Sequence, residues 1–131
     1  MTIAFPDPRA ATLAVLRALA GAGVTCGTRL LEDFPEGDVP ALPYIAVNSE
    51  VPTVRWPVMT TAPMRLIVWH ETEVQADALA WALFGALCEY PGGGDVRGFG
   101  ELGGPVSTTD DVTKRPLSTF SVNARLKPHV I

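Results

Sequence analysis

The sequence predicts an α+β domain in which a mostly antiparallel sheet of four to five strands packs against two helices. Three observations lead there. Two segments, one opening at Asp7-Pro8 and one covering 71–90, combine helix caps with apolar residues at helical spacing. Residues 117–126 (LSTFSVNARL) alternate apolar and polar side chains, as a half-buried strand does. The elements run helix, two or three strands, helix, two strands.

In order, Asp7 is a helix N-cap and Pro8 suits the first helical position. Leu13, Leu16 and Ala20, with Val15 and Leu19, form an apolar stripe that Gly21 and Gly23 bring to an end. Residues 24–31 (VTCGTRLL) read as a strand with Gly27 as its weak point. Proline, glycine and acids make 32–42 a loop, and Pro43-Tyr44-Ile45-Ala46-Val47 begins a second strand. Segment 51–63 (VPTVRWPVMTTAP) holds three prolines, which break a regular ladder, yet Val54, Trp56, Val58 and Met59 are apolar. It reads as a hairpin arm or irregular loop projecting from a single domain that spans 1–131.

A strand over 64–70 (MRLIVWH) feeds the helix at the centre of the chain. Thr72 caps that helix with Gln75 three residues on, and Glu71, Glu73 and Asp77 crowd the end where the helix dipole favours negative charge. Leu79, Leu83, Leu87 and Tyr90 share one face, expected against the sheet, while Trp81, Phe84 and Cys88 form a second apolar stripe. No charge occurs from Ala78 to Cys88. Such a helix needs two covers: the sheet, and either the first helix or a neighbouring subunit. Pro91 and Gly92-Gly93-Gly94 stop it. Residues 95–104 are a glycine-weakened strand. Residues 105–116, with Asp110-Asp111 and Lys114-Arg115, read as a polar turn, and in the final strand Leu117, Phe120, Val122, Ala124 and Leu126 face inward.

With 131 residues, 47% hydrophobic and 18% charged, the chain has the composition of one globular domain. No apolar run approaches the roughly 20 residues of a membrane span. Residues 1–22 lack a basic start and an unbroken apolar core, so they do not read as a signal peptide and the expected site of synthesis and assembly is a cytoplasm. Cys26 and Cys88 accordingly read as reduced core residues. The net charge of −4, with ten scattered basic residues, argues against a surface that grips nucleic acid.

Catalytic chemistry is thin. His129 reads as part of a loose tail, and His70 as a solvated strand-end residue beside Glu71. No G-x-S-x-G turn is present. Glu32, Asp33, Glu36 and Asp38 lack the alternating ligands of a calcium loop, and no paired cysteines or histidines form a zinc signature. The triple glycine follows a helix rather than a strand, unlike a phosphate loop. The expectation is a chain without enzymatic activity, catalytic residues, metal or cofactor.

Taken together, the opening helix after Asp7-Pro8, Thr28-Arg29-Leu30-Leu31 before a proline-rich turn, Leu42-Pro43-Tyr44-Ile45-Ala46-Val47, the strand ending Val68-Trp69-His70, the alanine-rich helix and Glu101-Leu102-Gly103-Gly104-Pro105 resemble the tail terminator proteins of long-tailed bacteriophages, especially those infecting actinobacteria. The resemblance spans nearly the whole chain. It implies a virion structural protein: a ring, usually of six copies, that caps the tail tube, ends tube growth and meets the head. Its implied partners are copies of itself, the major tail tube protein, a head-completion or stopper protein, and genomic DNA that passes through without sequence-specific binding. Other neck and head-completion connectors share this size. A small α+β ligand-binding module is the contrasting reading from residues alone. Arg55, Trp56, Val58 and Met59, apolar or basic residues in a proline-broken segment, are the expected intersubunit contact.

Overall fold

The computed structural model describes residues 2–110 and 113–130. Strand β1 (Ile3–Ala4) precedes helix α1 (Pro8–Ala20), then β2 (Thr25–Gly27), β3 (Tyr44–Ser49), β4 (Thr53–Arg55), β5 (Met59–Trp69), helix α2 (Glu73–Cys88), β6 (Val96–Thr109), β7 (Pro116–Leu126) and β8 (His129–Val130). Six strands form the main sheet in the order β2-β3-β5-β7-β6, with β4 beside the first half of β5. All pairings are antiparallel except β2 with β3. The fold class is the expected α+β. The sixth strand comes from the arm, whose β4 joins the sheet.

Both helices cover one face. Asp7 caps α1, its carboxylate accepting the Arg9 N–H at 3.0 Å, and Gly21 ends it at φ 83°. Thr72 caps α2 by accepting the Gln75 N–H at 3.2 Å. Leu16 of α1 and Leu83 and Leu87 of α2 meet Ile45, Val47, Met64, Leu66, Val68, Phe120 and Val122 in the main core. Along β5 and β7 every second residue points into this core; in β7 these are Ser118, Phe120, Val122, Ala124 and Leu126, whereas Leu117, expected to face inward with them, has the opposite parity and packs on the other face of the sheet.

A second, smaller core lies on the opposite face. A parallel pair needs a crossover, and here residues 28–43 supply it by passing over the sheet. A 3-10 turn at Leu31–Asp33 presses Leu31 onto Tyr44, Ala46 and Trp69. The expected strand over 24–31 therefore stops at Gly27. Tyr44 crosses the chain there and donates its hydroxyl to the Arg29 carbonyl at 2.6 Å. A Cβ on Gly27 would stand 2.7 Å from that hydroxyl oxygen, so any other residue would have to displace the Tyr44 ring from its hydrogen bond.

Two other boundaries differ from expectation because prolines occupy positions where no ladder bond is needed. Strand β5 begins at Met59 and runs through Pro63. The Pro63 carbonyl accepts the Glu50 N–H at 2.9 Å, so the side of Pro63 that lacks a donor faces the gap between β3 and β4. Strand β6 runs through Pro105 to Thr109. It is an edge strand, and register shifts at Glu101/Gly103 and Gly103/Val106 absorb the proline. The polar turn is correspondingly short. Asp110 anchors it, its Oδ1 accepting the Thr113 N–H at 3.3 Å and its carbonyl the Lys114 N–H at 2.9 Å. Asp111 lies outside the described residues. His129 belongs to β8, paired with Ala4 of β1, and not to a loose tail.

Candidate subunit interface

Arm residues 51–63 form a hairpin. Arg55 pairs with Met59, and the Val58 N–H donates to the Arg55 carbonyl at 2.6 Å to close the turn. The expected contact residues thus gather at one tip. Arg55 and Met59 share one side of the sheet, Trp56 and Val58 occupy the turn, and Met59 is half-buried while the other three are exposed. Trp56 is 64% exposed, and its ring meets Phe5 edge-on at 5.9 Å. Val51 and Val54 of the same arm are also exposed. An exposed apolar run of this kind on a paired hairpin is unusual for a surface that faces only water.

A second uncovered apolar surface lies on α2. The buried face of this helix is Ala76, Ala80, Leu83 and Leu87, with Leu79 half-buried. The opposite face carries Val74, Ala78, Trp81 and Ala82, all exposed, and then half-buried Gly85. Trp81 is 53% exposed. It leans over β6, where a Cβ on Gly104 would lie 3.6 Å from the indole, and it meets Phe84 edge-on, which in turn meets core residue Phe120. Leu102 and Val106 of edge strand β6 are exposed nearby. Helix α1 touches α2 but leaves this face open. The sheet is the first of the two covers such a helix needs, and the single chain does not supply the second. A hydrophobic count along the helix does not separate Trp81 from Leu83; the phase set by Ala76 and Ala80 does.

Asp77 holds α2 in place. Its Oδ1 accepts the hydroxyls of Ser107 on β6 and Ser118 on β7, at 3.0 and 3.3 Å. This carboxylate, which the sequence places among the dipole-facing acids, is a tether between helix and sheet.

On the other sheet face, Trp69 walls a shallow recess of about 420 Å³ with Arg65, Ile67, Glu32 and Thr119. The Trp69 indole N–H donates to Asp110 Oδ2 at 3.0 Å. Arg55, Arg65 and Arg125 all project from this face, because their strand partners Met59, Ser121 and Thr61 do. Three of the ten basic residues, scattered along the sequence, therefore share one sheet face. Glu32 and Glu50 line recesses beside Arg65.

His70 accepts the Glu71 N–H through Nδ1 at 2.8 Å, which fits a strand-end role. Burial pushes the Cys26 thiol above its usual range, with nearby Arg17 opposing, and burial does the same to Cys88 with Glu101 and Glu89 adding to it. Among the described residues no cluster of three His, Cys, Asp or Glu could hold a metal ion, and no helix is long and apolar enough to cross a membrane. No known family model matches this sequence, and none of the curated proteins matches it.

Proposed function

We propose that this chain is a structural virion protein, a tail terminator that forms a ring of six copies on the tail tube of a long-tailed bacteriophage. One observation carries the reading: apolar surface stays open at two separate places, the arm tip and the outer face of α2, although the core is complete without either. The arm's β4 lies beside the first half of β5, on the edge that β3 shares, whereas α2 lies over β6 and β7. Unlike patches on one chain suit head-to-tail contacts, and these generate rings when the rotation closes. The ring would end tube growth, seat a head-completion protein and let genomic DNA pass. A net charge of −4 suits passage without retention.

Deleting the gene from the phage that carries it tests this reading. Electron micrographs of the lysate should show tail tubes of uncontrolled length with no heads attached. Tails of ordinary length joined to heads in its absence would contradict it. The recess beside Trp69 is the observation that favours the alternative, a ligand-binding module, since its volume falls within the range of small-molecule sites. A persistent monomer that binds a small molecule there would support that alternative.

A further inference from the structure

We infer that the 51–63 arm of one copy docks on the outer face of α2 in the next copy, with Trp56 and Val58 laid over the low middle of that face and Arg55 directed at its acidic rim. The inference rests on the ring reading and names the two surfaces that meet.

Shape and charge both point this way. Ala78, Ala82 and Gly85 form a low floor along this face, flanked on one side by the larger Val74 and Trp81. A Cβ added at Gly85 would meet nothing within 4 Å, so the floor is open to an incoming side chain. Trp56 and Val58 stand at a hairpin turn, the shape that can enter such a depression. Between residues 51 and 63 the only charged residue is Arg55. Helix α2 and its flanks, 71–90, carry Glu71, Glu73, Asp77 and Glu89 and no basic residue. With Asp77 turned inward to Ser107 and Ser118, the exposed Glu71, Glu73 and Glu89 form the rim, and Glu101 on β6 adds to it. One patch is apolar and basic, the other apolar and acidic. Neither is complementary to itself, so a second copy docks head to tail rather than patch to same patch. An arginine and two tryptophans, residue types enriched at interface hot spots, would lie at the centre.

Two variants and their mixture test the pairing by sedimentation velocity. The arm variant is Arg55→Glu with Val58→Asp; the face variant is Ala82→Arg, at an exposed helix position. Each alone should be monomeric, with its thermal transition kept. Mixed in equal amounts they should form a two-copy species and stop there, because the intact arm of the face variant fits the intact face of the arm variant and the other two surfaces are blocked. If Ala82→Arg loses its thermal transition, Ala78→Arg takes its place. Parent chain that assembles while either folded variant also assembles, or while the mixture stays monomeric, would overturn the pairing and leave the ring reading standing. A parent chain that never assembles would overturn both.

Discussion

At the scale of single residues, the hydrogen bond from Trp69 to Asp110 ties the end of β5 to the β6–β7 turn. Asp110→Ala leaves the indole N–H without that acceptor in a buried site and removes a bond that shapes the turn. The expected loss is roughly 1–3 kcal/mol, the usual cost of stranding a buried donor, and chemical denaturation should report it with an unchanged denaturant slope. Cys26 gives a pH dependence. Its thiol, ordinarily near 9.0, is pushed up by burial, so the folded chain keeps the proton after the unfolded chain has released it. Stability from this group is therefore full below about pH 9 and falls as pH rises through the folded value. Tyr44, also raised by burial, adds the same sign from about pH 10 upward. The denaturation midpoint should drop between neutral and strongly alkaline pH, and Cys26→Ala should remove part of the drop. An unchanged midpoint would mean that these groups ionise as freely in the folded chain as in the unfolded one.

At the scale of elements, α2 has two faces with opposite expected responses. Leu83 is buried against the sheet, and Leu83→Ala should cost about 2–5 kcal/mol, the range for a core cavity. A shift under about 1 kcal/mol would place Leu83 outside the core. Trp81→Ala should change stability far less, since half of the side chain faces solvent, but should weaken assembly. The same split applies to the arm: Trp56→Ala should impair assembly more than folding, and a variant that loses folding stability while its remaining folded chains assemble as the parent does would put Trp56 in the core instead. The helix caps, the alternation of β7 from Ser118 onward and the need of α2 for two covers were legible because each rests on local spacing. The limits of β2, β5 and β6 were not. They depend on Tyr44 crossing Gly27, on Pro63 facing a gap between strands, and on Pro105 lying on an edge, and none of these is visible before the strands are paired. Arg55, Trp56, Val58 and Met59 could be picked out as a group because apolar residues among prolines have no place in a small core. Val74, Leu102 and Val106 could not, because their exposure follows from the helix phase and the register shifts.

At the scale of the whole molecule, the sheet face opposite the helices carries Arg55, Arg65 and Arg125 within about 20 Å by strand spacing. Few phosphate contacts per copy and a net charge of −4 predict no measurable duplex affinity at physiological salt, and at most weak binding without sequence preference at low salt. Titration of the assembled protein with duplex DNA at several salt concentrations checks this; tight, sequence-preferring binding that survives high salt would point to a regulator. The central claim is that this chain is built to assemble through surfaces its own core does not need. Sedimentation velocity of the parent chain over a wide concentration range tests that most directly. A single closed species of about six copies, formed from 13.9 kDa chains and lost in the Trp56→Ala variant, is the predicted result. A monomer that persists to the highest concentration remaining in solution would contradict it.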